Sequence, residues 1–172
     1  AGQSDPQLTS FSMAKAQAAQ IPALQAVRAV NPNLTLMASP WSAPGWMKTT
    51  DSLIKGSLKP EYYGAYARYF VRYLDGMDAA GLPVRYVSMQ NEPAFEPENY
   101  PGMRVSAAER ATFFAQHLGP ALAARSNRVG ILDWDHNWDH PEEPLGVLSN
   151  AAAAPFVEGV AWHCYGGDSK VM

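Results

Sequence analysis

The sequence predicts an α/β fold on a parallel sheet, in the form of part of a (β/α)8 barrel. Two observations carry this. Short apolar runs alternate with helical patterns along the chain, which is the signature of parallel strands joined by helices. Every polar or aromatic cluster follows a strand, and none follows a helix. Parallel strands joined by helices make either an open doubly wound sheet or a closed barrel. No G-x-G-x-x-G or G-x-x-x-x-G-K-[ST] follows any strand, which weakens the nucleotide-binding open sheet. In a barrel the loops after the strands share one face, the catalytic one. The four predicted strands are too few for closure, so the expected content is about half a barrel.

The elements follow in order. Ala23, Leu24, Val27 and Val30 recur at helical spacing, with Pro22 suited to a first turn, and Asn31-Pro32-Asn33 breaks the helix. Leu34 to Ala38 reads as a buried strand, and a Pro-, Gly- and Trp-rich segment runs from Ser39 to Pro60. The next helix spans Glu61 to Ala80, with Tyr62, Tyr66, Tyr69, Phe70, Tyr73, Leu74 and Met77 as its apolar stripe and Gly81 just past its end. Val84 to Met89 is the second strand, and Gln90 to Val105 its loop. Ser106 and Glu109 form a capping box for a helix reaching Ala124. Val129 to Leu132 is the third strand, and Asp133 to Pro144 its loop. A weaker helix near Leu145 to Asn150 and an alanine run expected to be a helix end or turn precede the fourth strand, Gly159 to His163.

Composition is that of a globular chain with a modest charged share and a net charge of −3. Lysines and arginines are scattered, so no nucleic-acid surface is expected. No apolar stretch is long enough for an integral membrane segment, and no signal peptide is visible. Cys164 is the single cysteine, expected to be an inert buried thiol. Ala1 is not an initiator and the chain stops soon after a strand, so both ends read as internal to a longer protein.

Four clusters offer chemistry. Gln90-Asn91-Glu92-Pro93 is the strongest. Pro93 disfavours helical geometry at Glu92, so strand-like backbone is expected to carry that carboxylate over the barrel mouth. Glycoside cleavage needs a carboxylic acid to protonate the leaving oxygen. A solvated loop glutamate is the bland alternative, and it suits Glu96 and Glu98 better. Ser39 to Lys48 holds Trp41 and Trp46 in a proline-stiffened loop, a wall on which sugar rings stack, though core packing serves Trp46 equally well. Lys48 suits either a sugar hydroxyl or solvent. Asp133 to His140 is dense in metal ligands, but it lacks H-E-x-x-H and EF-hand spacing and reads as a polar rim. His163, closing the last strand, is either structural or functional.

Together these segments resemble glycoside hydrolase family 30, the group containing the glucosylceramidases. The matching stretches are Ala38 to Lys48, Gln90 to Pro93, Asp135 to Asp139 and Ala161 to Tyr165, and the resemblance extends from about Phe11 onward. It implies a retaining β-glycosidase on a barrel with a smaller β-domain. In that frame residues 1–172 are a partial catalytic barrel, about strands 3 to 6, with the remaining strands and the β-domain absent. The resemblance makes Glu92 the acid/base, Asn91 the contact to the hydroxyl beside the reacting carbon, and Trp41 a pocket wall. It makes His163, Tyr165 and Asp135 pocket residues. The family's nucleophile, a glutamate after the seventh strand, has no counterpart here, so the chain alone is expected to be inactive.

The expected substrate is a β-glucoside glycan or glycolipid, of glucosylceramidase type, with endo-β-1,6-glucanase or β-xylosidase activity as alternatives. No metal or organic cofactor is expected. An extracellular or secreted location follows from the resemblance alone. The rivals from other classes are a non-catalytic carbohydrate-binding barrel and a nucleotide-dependent doubly wound enzyme.

Overall fold

The computed structural model describes residues 3–171. Its frame is a sheet of four parallel strands, β1 (Leu36–Ala38), β2 (Val84–Val87), β3 (Gly130–Asn137) and β4 (Val157–His163). They lie side by side in chain order, β1-β2-β3-β4. That order continues in one direction, as a barrel wall requires. A doubly wound sheet would reverse it at a switch point.

Helices cover one face. They are α1 (Ile21–Val30), α2 (Tyr63–Ala79), α3 (Ala107–Phe113), α4 (Gly119–Ala123) and α5 (Glu142–Leu148). The predicted stripe of α2 is the core: Tyr66, Phe70, Leu74 and Met77 are buried. Tyr66 meets Phe70 at a ring-centroid distance of 5.0 Å and Phe113 of α3 at 5.6 Å. The end of α2 is fixed by Gly81, at φ +73°. Gly81 N–H donates to Asp78 O and Leu82 N–H to Met77 O, both at 2.9 Å, the paired bonds of a Schellman motif. The capping box of α3 is present, with both the Ser106 and Glu109 side chains engaged.

Three helices differ from the sequence expectation. Pro22 does not open a helix; it lies inside a continuous helical run, just after a π turn at Ala16–Gln20. The predicted Ser106–Ala124 helix is likewise interrupted, by a π turn at Phe114–Leu118 just before Pro120. In both places the residue before the proline donates five residues back, Ile21 to Ala16 and Gly119 to Phe114. A proline ring collides with the carbonyl four residues earlier, and a widened turn relieves that collision. Third, α5 begins at Glu142 inside the predicted loop, because Glu142 and Glu143 suit a helix N-terminus. Val27 and Val30 of α1 are exposed, so the buried contacts of that helix come from Ile21 and the half-buried Leu24. Among the described residues, no helix is long and apolar enough to cross a membrane.

Candidate active site

The four strands present their C-terminal ends on one rim. From β1 come Ser39, Pro40 and Trp41; from β2, Ser88 to Glu92; from β3, Asp135 to Asn137; from β4, His163 and Tyr165. Backbone bonds tie the first three together. Asn91 N–H donates to Pro40 O at 2.9 Å, and Glu92 N–H to Asp135 O at 3.0 Å. The buried Gln90 amide donates to Trp41 O at 2.7 Å and Asn91 O at 2.9 Å.

Glu92 is not carried by strand-like backbone. β2 ends at Val87, and Glu92 sits at φ 52° in the left-handed region. The proline that follows disfavours the right-handed helical region, and the bond to Asp135 O holds the chain in this rarer one.

β3 also departs from expectation. Asp133 to Asn137 are not loop but strand, and the strand contains a β-bulge. Trp134 pairs with Ala161 and His136 with Trp162, leaving Asp135 as the extra residue. Trp134 and Asp135 both have positive φ, 71° and 52°. In a regular strand Asp135 and His136 would face opposite sides. The bulge re-aims them, and both come to the rim while Trp134 is buried beneath it.

A chain of polar contacts results. Glu92 Oε1 lies 2.9 Å from His163 Nδ1, and His163 Nε2 lies 3.0 Å from Asp135 Oδ1. The other Asp135 oxygen accepts from the Ser39 hydroxyl, and the Ser88 hydroxyl is 2.7 Å from it. Both imidazole nitrogens therefore face carboxylates. Two arrangements that leave Asp135 ionised avoid placing a lone pair against a charge. Either a protonated His163 donates to both carboxylates, or a neutral His163 donates to Asp135 and a protonated Glu92 donates to His163. They contain the same number of protons and differ by one transfer along a 2.9 Å contact.

His136 joins this group, although sequence reasoning did not single it out. Its ligating atom and those of Glu92 and His163 lie within 4.8 Å of one another. Burial holds its pKa below the usual histidine range, against the opposing pull of Glu92, so it is neutral at neutral pH. Ser39, Ser88 and Gln90 were also missed as site residues. The strand-end position of each was readable, but the contacts of Ser39 and Ser88 to Asp135 depend on the bulge.

The aromatic walls divide. Trp41 is 52% exposed and packs against Tyr100 at 5.5 Å. Tyr165 is 82% exposed and meets the His163 ring edge-on at 5.7 Å. Trp46 instead packs edge-on to Tyr62 at 5.0 Å, beside the core. Cys164 is exposed, not buried: it follows the last β4 residue, where the chain turns outward. Glu96 fills a structural role, accepting from Gly56 N–H at 2.9 Å and Arg104 at 3.1 Å.

Lys48 is neither solvated nor free to meet a sugar. It is wholly buried, and its ammonium donates to Ser42 Oγ, Leu53 O and Gly102 O at 2.7–2.9 Å. It thereby ties the Trp41 loop to the segment bearing Tyr100. Burial lowers its pKa from 10.5 to about 8, with Glu96 pulling the other way. Between these two values the unfolded chain binds the proton and the folded chain does not, so this group's contribution to stability rises with pH across that window. Lys48→Met leaves two carbonyls without a donor and should cost about 1–3 kcal/mol at neutral pH. Denaturation of both proteins from pH 8 to 10.5 should show that rise in the wild type and not in the variant.

A parallel wall with its polar and aromatic groups at the strands' C-terminal ends is the arrangement of a (β/α)8 enzyme. The chain belongs to glycoside hydrolase family 30: the profile of the glycosyl hydrolase family 30 TIM-barrel domain matches residues 2–171. An endo-1,6-beta-D-glucanase of Aspergillus fumigatus is 36% identical, over 95% of this chain and 36% of that protein. The lysosomal acid glucosylceramidase of Mus musculus is 34% identical, over 94% of this chain and 33% of that protein. A solved endo-beta1,6-glucanase superposes with a TM-score of 0.90 at 29% identity, covering 98% of this chain and 40% of its own. The chain thus spans about a third of the length of the curated relatives it matches.

Proposed function

We propose that these residues form the acid/base half of a retaining β-glycosidase acting on β-glucosides, with Glu92 as acid/base. The observation that carries this is the Glu92 carboxyl, one oxygen held by His163, on a rim flanked by the exposed rings of Trp41 and Tyr165. Glu92 protonates the leaving glycosidic oxygen, then takes a proton from the water that releases the sugar. His163 and Asp135 orient it. Trp41 stacks on a sugar face, Tyr165 lines the same opening, and Asn91 bonds the hydroxyl beside the reacting carbon.

Retention needs a second carboxylate, about 5–5.5 Å from the first. Asp135 is a poor candidate, because its oxygens already serve His163, Ser39 and Ser88. In this reading the full-length polypeptide supplies the nucleophile from outside these 172 residues. Kinship favours β-1,6-glucan as the first substrate to test, with glucosylceramide second. The same reading expects export of the protein, as for an enzyme meeting such glycans outside the cell.

The test is proton NMR of the full-length polypeptide acting on a β-1,6-linked glucan and, separately, on glucosylceramide. The β-anomer of the new reducing end should appear first and then mutarotate. An α-anomer first would exclude retention, and no cleavage of either substrate would exclude the β-glucoside reading.

A further inference from the structure

We propose that Glu92, His136 and His163 bind one divalent cation of the zinc class, and that this cation inhibits the enzyme by occupying Glu92. The inhibitory half rests on the reading of Glu92 as acid/base; the binding half does not.

The donor set comes first. Two imidazoles and one carboxylate, with their ligating atoms within 4.8 Å, match the three protein ligands of zinc sites that keep a fourth position open. Zinc bonds to nitrogen and oxygen are about 2.0–2.2 Å long, which places tetrahedral ligand atoms roughly 3.3 Å apart. Glu92 Oε1 and His163 Nδ1 are already 2.9 Å apart and all three atoms lie within 4.8 Å, so side-chain adjustments of roughly 1–2 Å complete the site.

The outer shell is built as well. A metal-binding histidine is commonly oriented by a carboxylate on its far nitrogen. His163 Nε2 meets Asp135 at 3.0 Å, and Asp135 is itself held by Ser39 and Ser88. A proton fixed on Nε2 leaves the Nδ1 lone pair facing Glu92. The other two of the four histidines stand apart from the cluster. His117 packs between Tyr63 and Phe113, and His140 pairs with Glu142 on the surface. With a cation in place, Glu92 has no proton to give and its free oxygen is a weaker base toward water.

The experiment has a binding arm and an activity arm. Zinc is titrated into the protein against a chromophoric chelator, and cobalt(II) is added separately for its absorption spectrum. One site per chain is expected, with a tetrahedral cobalt spectrum lacking a thiolate charge-transfer band. His136→Ala and His163→Ala should each weaken zinc more than about tenfold, and Asp135→Asn by about 10- to 100-fold. His140→Gln should bind as the wild type. Absence of saturable one-to-one binding, an octahedral or thiolate-type cobalt spectrum, or undiminished binding by His136→Ala overturns the site. In the activity arm, zinc should inhibit aryl β-glucoside turnover by the full-length polypeptide, and a chelator should restore it. Binding without inhibition overturns the inhibitory role. A full-length protein without any β-glycosidase turnover counts against the glycosidase reading, and the binding arm then decides the metal site by itself.

Discussion

Glu92→Ala in the full-length polypeptide should slow cleavage of β-glucosides with poor leaving groups by about 100- to 10,000-fold, the usual worth of a positioned general acid. The loss should be graded. A dinitrophenyl leaving group departs without a proton, so the glycosyl-enzyme still forms and then hydrolyses slowly for want of a base. Azide needs no base and should accelerate that second step, giving a β-glycosyl azide. Asn91→Ala should instead slow all leaving groups alike, because its proposed bond is to the sugar. The measurement is a leaving-group series with and without azide. Equal slowing of every substrate by Glu92→Ala, with no azide rescue, would remove Glu92 from the acid/base role.

The second large effect concerns stability. Arg110 of α3 and Asp133 of β3 are both wholly buried and paired at 2.8 Å. Arg110 also reaches Val105 O at 2.9 Å and Glu143 at 3.1 Å, and its guanidinium lies 5.3 Å from the Trp134 ring centroid. Burial raises the Asp133 pKa above its ordinary value, and Arg110 is the main opposing influence. Arg110→Met leaves a buried carboxylate alone and should cost about 3–5 kcal/mol. The sign with pH follows. Without Arg110 the carboxyl rises further, so above the wild type's own raised value the folded variant keeps a proton that the wild type and the unfolded chain have released, and the deficit grows with pH until the variant's carboxyl ionises as well. Arg110→Met combined with Asp133→Leu should recover much of the loss, since an apolar pair leaves no orphan charge. Urea midpoints of the three proteins at acid and neutral pH check this. A single variant within about 1 kcal/mol of wild type would show that water or protonation of Asp133 compensates for the missing cation.

Much of the fold was legible because its signals are local. The α2 stripe from Tyr62 to Met77, the Gly81 stop and the Ser106–Glu109 box each depend on residues within one or two turns. The two π turns leave no such local mark: Pro22 reads as a helix start and Pro120 falls within the predicted Ser106–Ala124 helix, and neither announces the widened turn before it. The site was legible as a set of strand ends. The structure brings Glu92, Asp135 and His163 into one contact chain and leaves Trp41 and Tyr165 exposed beside it. His136 escaped because Asp133 to Pro144 reads as a loop, and only the longer strand with its bulge at Asp135 brings it to the rim. Lys48 escaped for a different reason. Its partners at Leu53 and Gly102 are backbone carbonyls, which no side-chain pattern announces.

The left-handed residues at the rim have a consequence for how this protein could be made hardier. Glu92, Trp134 and Asp135 are non-glycine residues at positive φ, each carrying a strain of order 1–3 kcal/mol. Their sum is a sizeable share of the margin by which a domain stays folded. Glycine at any of them relieves that strain but deletes a rim carboxylate or the ring buried beneath the rim. Heat resistance in this chain is therefore better sought away from the rim, for example at Asp51 and Lys55, which share the left-handed backbone but lie outside it.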